Sequence, residues 1–364
     1  MSMNKHFLIL IIFSFILMFS SSCNRNLDEL AEKCQSGVVL VQTTEYYEMI
    51  MSNGNSLFFT GSNFNKETGE FAGMCAELDS LNPDIIYGTG FFISNDGKIA
   101  TNRHVIEGNI SEKEARMGLK KIIRSIDNAL QKTKKDYELY LDNINSMILL
   151  NPDTIQGLLQ AQKETKELFS KRLNDINLMM KMLEQNNPND INLIYHNDVR
   201  IAYNNTFVQY VTELKPCIIR EKSETDDLAI IQLNTKHTPQ GCHIFNLTPK
   251  DMLQHYSYWE FLMHLIGNDK NKTLMMIGYN DGPNMAITDE GIIVQHSTGS
   301  ISRYSAEAHD IQYDIPALHG SSGSPVVNRR GQVVAINYAS ADTTTNRFNY
   351  GVKEKYLFKL NNNQ

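Results

Sequence analysis

Tyr87–Val105 reads YGTGFFISNDGKIATNRHV, and its reading decides the fold class. Two apolar segments flank Asn95-Asp96-Gly97. Asp-Gly supplies the positive φ that a tight turn needs, so the stretch predicts an antiparallel hairpin. His104 falls at the end of its second strand. Short β-branched runs of the same kind recur as GVVLVQT (37–43), PCIIREK (216–222), DLAIIQL (227–233), TLMMIGY (273–279), GIIVQHS (291–297) and QVVAINYA (332–339). Turn residues such as Asp281-Gly282-Pro283 and Arg330-Gly331 punctuate them. Many short strands at this spacing predict an antiparallel sandwich or barrel.

One block breaks the pattern. From Ser111 to about Gln185 there is almost no strand signal. Leu119, Ile122, Ile126, Leu130, Tyr137, Leu141, Ile144 and Ile148 recur at three- and four-residue steps, which is a helical stripe. Asn151-Pro152-Asp153 interrupts it, with Pro suited to open a second helix. Ile155, Leu159, Phe169, Leu173, Ile176, Met180 and Leu183 carry the stripe on. Two long helices folded back on each other are expected, each on the order of 50 Å long. The stripe is read as their mutual seam, and Lys120, Lys121, Lys132, Lys134 and Lys135 as a solvated face. A shorter helix is expected after Thr248-Pro249, over 249–265, with Trp259 packed inside.

The chain has 364 residues, 41% apolar and 21% charged, which suffices for a sizeable core. Its net charge of −7 shows no basic field of the kind that nucleic acid demands. Lys5 and His6 precede the apolar run Phe7–Phe19, too short for a membrane span and right for a signal peptide over 1–23. Ser20–Ser22 before Cys23 resemble a bacterial lipoprotein processing site, with Cys23 lipidated and residues 24–35 a tether to the membrane. Ser20 replaces the usual leucine, which keeps simple cleavage nearby as the alternative. Export follows either way. Cys34, Cys75, Cys217 and Cys242 then have three possible pairings, or stay as free thiols. No spacing suggests a metal site, and no cofactor is expected.

HGSSGSPVVN (319–328) poses the chemical question. Acyl transfer by serine needs a base, an acceptor that orients the base, and backbone donors for the oxyanion. Ser322 is framed for this, with Gly320 two residues before and Gly323 one after. Asp227 opens the strand DLAIIQL, where an unpaired charge drawn toward the core is costly and an imidazole N–H relieves it. Asp226 competes with it, but alternation sends the two to opposite faces.

These three contexts resemble the trypsin-like serine proteases, in the order His104, Asp227, Ser322. GTGFFISNDGKIATNRHV, DDLAIIQL and GSSGSPVVN look most like the bacterial HtrA-type branch, and GSSGSP also like the glutamyl endopeptidases. The resemblance implies a mainly β fold of two six-stranded antiparallel barrels with the long helical hairpin inserted. Residues 36–110 and 189–238 would make the first barrel, 111–188 the hairpin, and 239–364 the second barrel. His104 becomes the general base, Asp227 its orienting carboxylate and Ser322 the nucleophile. The N–H groups of Gly320 and Ser322 form the oxyanion hole, while Ser321, Ser324 and Asp314 are structural.

Departures narrow the expectation. Ser321 replaces the acidic residue that pairs with a newly cut N-terminus in trypsin. Pro316 stands at the pocket position where trypsin has aspartate, which disfavours cleavage after Lys or Arg. Asn337 replaces the histidine of glutamyl endopeptidases. Pro316, Ala317, His319, Asn337, Tyr338 and Ala339 are the expected pocket, with a small or apolar residue preferred before the scissile bond. No PDZ domain is expected after the protease. Protein or peptide substrates and a lipid-tethered membrane contact are the expected partners. The alternative from another class is a surface scaffolding lipoprotein on a protease fold, with the hairpin as its working part.

Overall fold

A computed structural model describes residues 27–63, 74–107, 112–150, 156–187, 190–253, 273–305, 308–340 and 348–362. The signal peptide, Cys23, the Asn151-Pro152-Asp153 turn, Trp259 and most of the 249–265 helix lie outside these residues. So do the side chains of Leu119, Lys120, Ile122, Ile148, Ile155, Leu159 and Ala339.

The described chain opens with helix α1 (Leu27–Gln35), where a tether was expected. Leu30, Ala31 and Cys34 share one buried face of it, and that burial supplies the stability a polar tether lacks. Next come β1 (Val38–Ile50), β2 (Ser56–Phe59), β3 (Asp84–Phe92), β4 (Lys98–Asn102) and the single-turn helix α2 (Arg103–Glu107). Gly97 has φ +83°, so the Asp-Gly turn between β3 and β4 takes the conformation its sequence demands. The long helices are α3 (Glu112–Leu150) and α4 (Gln156–Glu184). After them come β5 (Asn192–Tyr203), β6 (Lys215–Ser223), β7 (Leu228–Leu233) and β8 (Thr273–Gly278). A one-turn helix α5 (Pro283–Ala286) leads to β9 (Ile287–Thr288), β10 (Gly291–Ile292), β11 (Gln295–Arg303) and β12 (Asp310–Tyr313). The chain closes with β13 (Pro325–Asn328), β14 (Val333–Ser340), β15 (Asn349–Lys353) and α6 (Glu354–Asn362).

The strands form the two expected antiparallel barrels of six. The first runs β1-β3-β4-β7-β6-β5 and closes by pairing β5 with β1, while β2 adds an outer edge to β1. The second closes as β11-β12-β15-β14-β13-β8. Strands β4 and β7 pair with Asn102 opposite Leu228, which sets the approach of His104 to Asp227. GIIVQHS does not form one strand. Ile293 and Val294 leave the ladder, and their N–H groups go to Ala286 O and Asn204 Oδ1.

By internal contacts the chain divides into two compact units. One comprises the chain up to Gln42, Tyr87–Ile106, and the chain from Val199 onward. The other comprises Thr43–Ile86 and Glu107–Asp198. The first unit holds three buried apolar clusters, one of which joins Ile99 of β4, Val105 and Ile106 of α2, and Ala229 and Ile231 of β7. In the second unit the helical hairpin is more than a seam. Tyr137 and Phe169 do meet across α3 and α4, ring centroids 5.0 Å apart. Nearer the hairpin's root, however, Ile126, Leu130, Ile176 and Leu183 pack with Tyr47, Met49, Leu57 and Phe59 of β1 and β2. Among the described residues no helix is long and apolar enough to cross a membrane.

Candidate active site

The site grows from the end of β4. Asn102, Arg103 and His104 leave the strand as α2 begins, and all three bind one aspartate. Asn102 Nδ2 and the Arg103 N–H donate to the Asp227 carbonyl, at 2.9 and 3.1 Å. The His104 N–H donates to Asp227 Oδ1 at 3.0 Å. His104 Nδ1 lies 2.6 Å from Asp227 Oδ2. A carboxylate only accepts, so Nδ1 carries the proton and the neutral ring keeps its lone pair on Nε2. Asp227 adopts φ +52°, a left-handed conformation that a non-glycine residue holds only when its surroundings over-determine it. Those hydrogen bonds are the surroundings.

The loop before β13 carries the serine. Gly320 and Gly323 have φ +87° and +88°. A Cβ on Gly320 would stand 2.5 Å from Tyr279 O and Gly282 N, and one on Gly323 2.0 Å from Thr89 O. No other residue fits either place. Ser321 folds inward: its hydroxyl donates to Leu318 O at 2.6 Å and its N–H to the same carbonyl at 3.1 Å. Ser322 is half-buried, and its carbonyl accepts the Thr89 N–H at 2.8 Å. Among the described residues, the N–H groups of Gly320 and Ser322 reach no protein acceptor.

The GTG of the opening stretch joins the two halves. Thr89 Oγ1 donates to Gly320 O at 2.9 Å and accepts the Tyr279 N–H at 2.9 Å. Thr101 Oγ1 donates to Thr89 O at 2.8 Å. A Cβ on Gly88 would stand 2.5 Å from Val105 Cγ1 and 3.2 Å from Ser322 O. The missing side chain therefore lets the neighbour of His104 and the backbone of Ser322 approach one another. Gly88 and Thr89 were visible as small residues inside an apolar strand, a mark of close backbone approach, yet received no role from the sequence.

The expected pocket residues separate into two groups. Pro316 and His319 are exposed and Ala317 is half-buried. Asn337 is buried and its amide is fully engaged. It accepts the Tyr313 hydroxyl at 2.7 Å and donates to Ser321 O and Oγ, each at 3.1 Å. Its backbone also brackets the loop, through Gly323 N–H to Asn337 O at 2.8 Å and Asn337 N–H to Ser324 O at 3.0 Å. Asn337 thus holds the loop's shape. Tyr338 gives its hydroxyl to Asp310 Oδ2 at 3.0 Å. Burial, then the Asp310 carboxylate, pushes its phenol up to about 12. Ala339 is placed only as part of β14.

Asp226 takes a histidine of its own. His309 Nε2 lies 2.9 Å from Asp226 Oδ1, an arrangement no motif announced. Cys34, Cys75, Cys217 and Cys242 form no disulfide with one another. Among the described residues no group of histidine, cysteine and carboxylate side chains could hold a metal ion.

The chain matches the family model of a trypsin-like peptidase domain over residues 184–336. That span takes in Asp227 and Ser322 and begins at the last residue of α4, so the two long helices separate it in sequence from His104. The match supports hydrolysis of the protease type. A similar solved structure is the serine endoprotease from Yersinia pestis, 12% identical over 92% of this chain, with a TM-score of 0.42. The chain spans about 65% of that structure's length. No curated protein matches it in sequence.

Proposed function

We propose that the protein is a serine endopeptidase working through His104, Asp227 and Ser322. In the first step Ser322 Oγ attacks the scissile carbonyl carbon while His104 Nε2 takes the hydroxyl proton. Asp227 keeps Nδ1 protonated and stabilises the imidazolium that forms. The N–H groups of Gly320 and Ser322 receive the oxyanion. As the tetrahedral intermediate collapses, the C–N bond breaks and the imidazolium gives its proton to the leaving amine. The acyl-enzyme is then hydrolysed by water through the same steps.

The observation that carries this reading is the doubly bonded His104–Asp227 couple, 2.6 Å through the ring and 3.0 Å through the backbone. Gly88 and Thr89 tie the residue after His104 and the carbonyl of Ser322 to adjacent points of β3. The three quoted motifs favour the HtrA-type branch. An exposed Leu318 beside His319 is compatible with a small or apolar residue before the cleaved bond. Export and a lipid on Cys23 are part of the same proposal and rest on residues 1–23. Mass spectrometry of the mature N-terminus in wild type and Cys23→Ala tests them. The test of the chemistry is labelling by a fluorophosphonate. Wild type should label and Ser322→Ala should not. Equal labelling of the two, or none of wild type, removes the proposal.

A further inference from the structure

We infer that His309 and Asp226 form a positioning pair that holds the turn carrying Asp227 and offsets a negative charge one residue away from it. The inference rests on the protease reading of His104, Asp227 and Ser322 and extends it.

The turn between β6 and β7 is short and strained. Ser223 ends β6 and Leu228 begins β7, and the two are paired. Between them Asp227 bends through φ +52°. Inside the turn, Ser223 Oγ donates to Asp226 Oδ2 at 2.8 Å and accepts the Asp226 N–H at 3.2 Å. These bonds shape the turn but do not fasten it to the second barrel. His309 supplies a fastening. Its Nε2–H reaches Asp226 Oδ1 at 2.9 Å from the residue just before β12. His309 is held in turn. Its carbonyl accepts the Lys353 N–H at 3.2 Å, and its ring lies 4.4 Å from that of Tyr356 on α6. The adjacent Asp310 takes the Tyr338 hydroxyl, which ties the start of β12 to β14.

The charges around the pair give the inference its sign. Facing His309 are Asp226 from the turn and Tyr356 from α6, whose ring lies 5.3 Å from the ammonium groups of both Lys355 and Lys359. Asp310 adjoins it on β12. From β15 comes Lys353, its ammonium turned to Asp251 Oδ2 at 3.3 Å. Facing Asp227 are His104, Arg103, Asn102 and the Tyr338 phenol. Two neighbouring carboxylates repel, and an N–H donor on one of them offsets that repulsion. Loss of the donor and loss of the charge should therefore move His104 in opposite directions. A merely structural pair would not do this.

The test is an NMR titration of the His104 imidazole in the full chain, which needs no turnover. His309→Ala should raise the midpoint by about half a unit. Asp226→Asn keeps an acceptor for His309 but removes the charge, and should lower it. His309→Gln keeps an N–H donor and should bring the midpoint back toward wild type. In peptide hydrolysis, His309→Ala should lower kcat about tenfold with little change in KM, and Gln should restore most of it. Midpoints that move together or stay fixed overturn the pair. Should His309→Ala fail to fold, His309→Phe, which removes the donor and keeps a ring against Tyr356, takes its place in the opposite-sign test. Wild type that labels with a fluorophosphonate while the midpoints stay fixed refutes the pair alone. Wild type that fails to label refutes the protease reading, and the titration still decides the pair.

Discussion

Two imidazole–carboxylate pairs lie side by side in this protein and differ in what surrounds them. His104–Asp227 and His309–Asp226 have bond lengths of 2.6 and 2.9 Å and nearly the same exposure. Asp227, however, takes four hydrogen bonds from three consecutive residues, and the residue after His104 abuts the glycine that also touches Ser322 O. The ring of His309 ends against Tyr356. A histidine with a carboxylate is common currency in protein structures. On the proposed reading only His104 acts as a base, with Ser322 supplying the proton.

The largest effect that can break this comparison comes from Ser322. Ser322→Ala should lower kcat about 10⁶-fold in a peptide assay while both histidines titrate as before. The two aspartates come next. Asp227→Asn should cost about 10⁴-fold, because the amide stabilises the wrong tautomer of His104. Asp226→Asn should change the rate by only about threefold, in line with a half-unit shift of the base. Comparable losses from the two would erase the distinction between the pairs. Between these falls Gly88→Ala, whose methyl group must displace Val105 or Ser322. A loss of about a hundredfold in kcat is expected with the fold retained by circular dichroism.

The smallest effect sharpens the comparison with a carboxyl that has no imidazole. Glu354 is buried at the start of α6, where it accepts the Thr248 N–H near Asp251. Burial pushes it from 4.5 up to about 8. A raised carboxyl is favoured in its protonated form by the fold. Its stabilising contribution is therefore complete below pH 4.5 and is lost as the pH rises through about 8. Melting temperature should fall across that window, and Glu354→Gln should flatten the decline. An unchanged slope in the variant would assign the pH dependence elsewhere.

Much of the site was legible because its residue types are forced. Gly97 must turn the hairpin, Gly320 and Gly323 must leave room for backbone, and Asp227 at a strand entry needs a partner. The β-branched runs announced β1, β4, β6, β7, β8 and β14. Strands β12 and β15 were not announced, because DIQY and NYGVK carry neither a long apolar run nor a turn marker. They pair as strands because the closing ladder needs them. Helix α1 looked like a tether, since nine residues cannot hold a helix without a surface to bury Leu30 and Cys34.

By itself, then, the sequence determined the local turns and the helical stripe, because each follows from sterics or periodicity within a few positions, while its resemblance to the trypsin-like proteases singled out His104, Asp227 and Ser322 as candidates. Only the tertiary structure decided that Asn337 braces the serine loop, that Thr89 clasps it, that the root of the hairpin buries its stripe on β1 and β2, and that each of two adjacent aspartates finds its own histidine. Those outcomes depend on which distant atoms share a hydrogen bond or a packing surface, and spacing along the chain does not encode that.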